Sequence, residues 1–354
     1  MKKLAGRCAA MRGLVMGAAG IAALFVGGGT SAALAQEVNV YSYRQPYLVE
    51  PLFAKFTEQT GIKVNVVFAK KGLDERIAAE GKNSPADVIL TTDIARLTGI
   101  VEKGITQPVE AAALDENIPA RYRDPDDHWF GLTVRSRVVY ASKERVAEGE
   151  VTTYEALTDE KWKGRICVRS GTNNYNIALL SSIIAHHGEQ AAKDWLLGIK
   201  DNLARKPQGN DRAQIKAVAQ GECDVAIGNT YYYAVMLNDP EQRPAAEAVR
   251  MVFPNQSGEG LAGRGAHVNL SGMAMAKHAP NRDHAEKLML FLVSDEAQHI
   301  YAEVNNEYPV KPDVAWSEMV KGWGEFKADT LSLSEVAKHR RRAIEIVNET
   351  GFND

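Results

Sequence analysis

Cysteine is scarce in this sequence. Three cysteines in 354 residues are too few for a disulfide scaffold, and neither they nor the eight histidines fall at a zinc-binding spacing. His186-His187 reads as the exposed end of an apolar helix. No Gly-x-Ser-x-Gly elbow is present. Gly258, Gly260, Gly263 and Gly265 lack the strand-to-helix context of a phosphate loop and read as an ordinary loop. An enzyme would need a nucleophile, a base or an open metal position, and the motifs supply none. Positive charge is not in excess either, at 42 Lys and Arg against 45 Asp and Glu, which argues against a nucleic-acid partner. There is no repeat of 20 to 50 residues and no low-complexity tract. Beyond residue 35 no stretch reaches the roughly eighteen apolar residues of a membrane-spanning helix.

The one conspicuous apolar run, residues 14–26, lies behind Lys2, Lys3, Arg7 and Arg12 and ahead of Ala33-Leu34-Ala35. That order of charge, apolar run and small residues is an export signal, with cleavage expected before Gln36. Cys8 precedes the apolar run, so it reads as an inert residue of the signal. Removing the segment takes away four basic and no acidic residues, leaving 38 against 45, a formal charge of −7 on 319 residues. The expected product is exported and acidic, and long enough for two lobes with separate cores.

Alternating elements follow. Residues 38–43 and 63–68 read as strands around a helix over 47–59, with Pro46 suited to its first turn and Gly61 to its end. A helix over 74–80, a buried strand over 86–90 and a turn at Thr91-Thr92-Asp93 continue an α/β pattern. Two long strands, over 129–142 and 267–277, are of a length that can connect lobes. Helices are expected over 284–304 and 334–349, the second carrying a basic run at 338–342 that suits a solvated face or a docking partner.

Two segments are built alike. Tyr175 lies eight residues after Cys167, and Tyr231 eight after Cys223, in each case through a Gly/Asn/Thr turn into a helical pattern. Both tyrosines should emerge at the carboxyl ends of neighbouring parallel strands, where open α/β sheets hold ligands. Tyr231, Tyr232 and Tyr233 could be ordinary core aromatics, but adjacent positions cannot all face one core. At a turn, two consecutive phenols can be steered to one point. Converging phenols are hard anionic donors once a trivalent cation has displaced their protons, which suits ferric iron. Cys167 and Cys223, the last two cysteines, occupy matching places on these strands, and a disulfide between them is expected.

Taken together, the segments 41–46, 86–88, 131–138, 169–175 and 228–232 resemble the ferric-iron-binding periplasmic proteins of ABC importers, within the type II periplasmic-binding-protein fold. The resemblance implies two lobes, each a mixed, mostly parallel sheet flanked by helices, with a two-strand hinge. It assigns residues 36–135 and 265–310 to the amino-terminal lobe and 136–264 and 311–354 to the other. It implies Tyr175, Tyr231 and Tyr232 as metal ligands, Tyr233 as structural, and Arg135 with Arg137 near a synergistic anion. Some relatives carry a histidine and a tyrosine after the first arginine, and others a glutamate after the strand at 86–90. Here Gln45, Pro46, Thr91 and Thr92 stand there, so carbonate or bicarbonate is expected to complete the site, hosted by Arg44, Gln45 and Arg135. Arg135 and Arg137 could equally serve structural ion pairs. The implied location is the periplasm, the implied partners are a membrane permease with its ATPase, and the implied state is monomeric. A binding protein of the same fold for a polyamine, sulfate or sugar acid is the alternative class, and a cleft enzyme a more distant one.

Overall fold

In the computed structural model the described residues are 36–354. The expected export signal, Cys8 included, lies outside them. Ten strands are present among the described residues: β1 (Glu37–Ser42), β2 (Lys63–Phe68), β3 (Val88–Thr91), β4 (Thr106–Gln107), β5 (Phe130–Ser142), β6 (Ile166–Cys167), β7 (Val225–Asn229), β8 (Val249–Val252), β9 (Val268–Ala276) and β10 (Tyr308–Pro309). Their order is β2-β1-β3-β9-β5-β7-β6, with β4 on β9 and both β8 and β10 on β5. Parallel pairing joins β1 to β2 and β3, and β6 to β7, while β9 and β5 enter antiparallel.

β5 is the element that spans the molecule. Its first half pairs with β9, through Arg135 opposite Asn269 and Ser136 opposite Val268. From Arg137 onward it pairs instead with β7, and from Val139 with β8. Side chains alternate across a strand, and here the alternation divides two apolar clusters. Val139 and Ala141 join Trp162, Leu180 and Ile346, whereas Val138 and Tyr140 join Cys167, Ile215 and Met236. A separate core built on Phe56, Leu90, Trp129, Leu270 and Leu288 fills the other half. Three polar residues, Arg135, Ser136 and Arg137, lie on β5 between the two cores and are buried.

Several boundaries differ from the sequence reading for local reasons. The first helix runs over Glu50–Thr60, preceded by a tight 3-10 turn at Pro46–Leu48. The helix expected over 284–304 is two, Arg282–Leu292 and Asp295–Asn305, because the Ser294 hydroxyl caps the second by accepting from the Ala297 N–H at 3.3 Å. That expected over 334–349 is also two, Leu333–Lys338 and Arg340–Glu349, with His339 between them. Residues from 311 onward do not all belong with the second core. Val320, Leu333 and Val336 pack in the first, whereas Ala343, Ile346, Val347 and Phe352 pack in the second. In the basic run, Arg342 is held by Glu189, Glu345 and Glu349. Cys167 and Cys223 form a disulfide with their Cα atoms 5.8 Å apart. No helix of the described residues is long and apolar enough to cross a membrane.

Candidate functional site

β6 leads through a loop to the helix Asn174–His187, and β7 leads directly into the helix Thr230–Asn238. Tyr175 and Tyr231 are each the second residue of their helix. The side chain of Asn173 caps the first helix, accepting from the Tyr175 N–H at 3.0 Å. Neighbouring parallel strands thus bring two helix amino termini together, whose N–H groups favour negative charge on the phenols they carry. The Tyr231 hydroxyl lies 3.1 Å from the Tyr175 hydroxyl and donates to it. The Tyr231 and Tyr232 rings are 4.3 Å apart between centroids. Tyr233 turns the other way, is buried, and donates to the Val249 carbonyl at 3.2 Å.

Tyr231 and Tyr232 hold their phenolic protons tightly without a cation. Burial, then the neighbouring Tyr175 and Tyr232, push the Tyr231 phenol well above its ordinary value, with Arg135 opposing. Burial, followed by Tyr175 and Asp211, pushes Tyr232 up to about 12. A cation that binds here must displace protons, and only a highly charged one gains enough from anionic oxygen to do so. Among the described residues no group of three His, Cys, Asp or Glu side chains could hold a metal ion.

The phenols open onto a cleft of about 450 Å³ whose far wall comes from the other half of the molecule, including Arg44, Gln45, Thr92, Arg135 and Glu307. Gln45 is partly exposed there. Arg44 is buried; its Nη2 donates to Glu307 Oε2 at 2.9 Å and its Nη1 to the Ser271 hydroxyl. Thr133 donates to the same Glu307 oxygen at 2.6 Å. Arg135 is buried with no carboxylate partner among the described residues. It donates to the Thr92 carbonyl and, at 3.3 Å, to the Ser271 hydroxyl, and its Nε is unpartnered. An isolated buried guanidinium is costly, so Arg135 is the group on this wall that most gains from an anion. Arg137 lies deeper, giving Nη1 to Asp211 at 2.5 Å and Nη2 to Asn176 at 2.6 Å. Thr91 bonds back to its own turn, and the Asp93 side chain caps the helix Ile94–Glu102.

The cleft's composition is therefore three phenols on one side and predominantly cationic groups on the other. Residues 51–328 match the family of bacterial extracellular solute-binding proteins, described by that name. The chain belongs to that family. Within it, this solute-binding protein is 48% identical over 320 residues to iron uptake protein A1 of a Synechocystis species, covering 90% of this chain and 88% of that one. It is 50% identical to the ferric iron-binding protein A of Mannheimia haemolytica, solved in an open conformation, with a TM-score of 0.86 and coverage of 90% and 100%. It is 44% identical to a Trichodesmium protein solved in complex with iron and citrate ligands, with a TM-score of 0.85 and coverage of 89% and 99%.

Sequence reasoning placed the tyrosines through their offset from the cysteines. It did not single out Glu307 or Asp211, the carboxylates that hold Arg44 and Arg137. Both are isolated in sequence from the arginines they meet, by 263 and 74 residues, and no local pattern marks them.

Proposed function

We propose that this chain is the substrate-binding component of an ABC importer, which captures ferric iron in the cleft and hands it to a membrane permease driven by its ATPase. The observation that carries the reading is the convergence of Tyr175 and Tyr231 at 3.1 Å, with Tyr232 beside them, on two helix amino termini. Three phenolates neutralise one Fe³⁺ and leave coordination positions open. A synergistic anion, carbonate or bicarbonate, fills them, bound by Arg135 and Gln45, with Arg44 and Arg137 adding positive charge while Glu307 and Asp211 hold their terminal nitrogens. The protein acts as a monomer in the periplasm after loss of residues 1–35, and it makes and breaks no covalent bond in its cargo.

A larger organic anion is the second reading for the co-ligand. Lys70, Arg96 and Arg212 also line the cleft, more positive charge than carbonate needs, and the Trichodesmium relative was solved with iron and citrate. The same cations disfavour a polyamine.

Aerobic ferric titration followed by visible absorbance tests the site, first with bicarbonate and then with citrate as the sole anion. A phenolate-to-iron charge-transfer band is expected in the wild type, and Tyr175→Phe, Tyr231→Phe and Tyr232→Phe should each weaken it and lower iron retention at least about tenfold. Unchanged binding in all three variants would overturn the assignment.

A further inference from the structure

We propose that Asp211 is the positioning residue of the phenol cluster and its built-in counter-anion, a role that rests on the iron-phenolate reading above. Asp211 opens the helix Asp211–Ala219 and is fully buried. Its two carboxylate oxygens serve different partners. One accepts from Arg137 Nη1 at 2.5 Å and from the Asn229 N–H at 3.1 Å; the other accepts from Arg169 Nη1. Arg137 and Arg169 both stand over the Tyr175 ring, 5.8 and 5.3 Å from its centroid, with Arg135 a third guanidinium at 6.0 Å. Asn229 is the residue from which the helix bearing Tyr231 and Tyr232 departs. A single carboxylate therefore reaches both phenol-bearing turns, one through two arginines and the other through the backbone.

The charges have a specific consequence. Exchanging three phenolic protons for one Fe³⁺ leaves the charge of the cluster unchanged, so the arginines do not oppose loading. They act instead on the electrons of the bound phenolate. Positive charge over the Tyr175 ring stabilises its electron pair and raises the energy needed to move an electron from phenolate to iron. Asp211, placed between two of the three guanidiniums, lowers that effective charge. Groups that orient metal ligands from behind characteristically change affinity 10- to 100-fold when removed.

The experiment uses the full mature chain loaded with ferric ion and bicarbonate. Asp211→Asn, which keeps the shape and removes one negative charge, should move the charge-transfer band to shorter wavelength and weaken iron retention about 10- to 100-fold. Arg169→Gln, which removes one positive charge, should move the band to longer wavelength. The double variant should return it toward the wild-type position. Loosened packing alone would not give opposite shifts, so shifts of the same sign, or unmoved bands in both variants, would overturn the proposal. Should Asp211→Asn fail to fold, Arg169→Gln against Arg169→Lys decides the matter: the lysine variant should keep the wild-type band and the glutamine variant should not, and equal bands would refute it. Absence of any band in the wild type would instead sink the iron-phenolate reading.

Discussion

His267 sits where the chain re-enters the first half of the molecule, with its backbone N–H donating to the Tyr154 hydroxyl at 3.1 Å. Its imidazole is buried, and Nε2 has no partner. Burial, against the pull of Asp329 and with the help of Arg137, Arg264 and Arg135, brings its pKa down to about 3. The folded state therefore keeps His267 neutral in a range where the unfolded chain, near 6.5, takes up a proton. Its contribution to stability is intact above the unfolded value and is lost progressively as pH falls from there toward 3. Between pH 7 and pH 5 this single residue should cost the wild type about 2 kcal/mol. Urea midpoints at the two pH values should show a smaller acid-side loss in His267→Gln, and an equal loss would refute the assignment. None of this was legible in the sequence, where His267 is one histidine among eight. The tyrosines were legible, because helix-start turns and a repeated eight-residue offset are local. Arg44 and Arg137 were legible as candidates near an anion, and Arg137 also as an ion-pair candidate, but their partners were not, since Glu307 and Asp211 come to them only through folding.

At the scale of elements, the turn carrying Tyr231 and Tyr232 depends on a glycine. A Cβ on Gly228 would lie 2.1 Å from the Tyr140 ring. That ring cannot simply move away, because the Tyr140 hydroxyl donates to the Asn229 carbonyl at 2.5 Å and the ring packs against Tyr233. Gly228→Ala should therefore cost about 1–3 kcal/mol through overpacking and weaken ferric retention, because the strain falls two residues before the helix that carries Tyr231 and Tyr232. Thermal denaturation and the charge-transfer titration measure the two effects, and a variant with wild-type values in both would contradict the argument. The strand ahead of Gly228 was readable from the Gly/Asn/Thr turn that ends it. The helix breaks at Ser294 and His339 were not, because apolar periodicity continues across both and only the cap at Ser294 and the packing around it interrupt the first helix.

Across the whole molecule, the proposed metal and anion sites draw on different halves. Tyr175, Tyr231 and Tyr232 all come from the half built around β6 and β7, whereas Arg44, Gln45 and Thr92 come from the half built around β1 and β3. On the proposed reading, iron held by phenolates alone would engage one half, and the anion would join it to the other. Hydrogen exchange followed by mass spectrometry should show ferric ion without added anion protecting the segment around residues 228–238, and ferric ion with bicarbonate protecting residues 44–49 as well. Equal protection of both segments without anion would mean that iron alone bridges the cleft. β5 runs through both halves as one continuous strand, and its partner changes from β9 to β7 at Ser136 and Arg137.

By itself the sequence determined the α/β alternation, the export signal as an expectation, and the two matched cysteine-to-tyrosine turns, because periodicity, caps and turn chemistry act over a few residues. Tertiary structure alone decided which carboxylate meets which arginine, where the chain passes from one core to the other beyond residue 310, and that Arg135 is buried without a carboxylate among the described residues. Those outcomes depend on burial and on charges brought together across tens to hundreds of residues, and the energy of a buried charge is set by its neighbours in space.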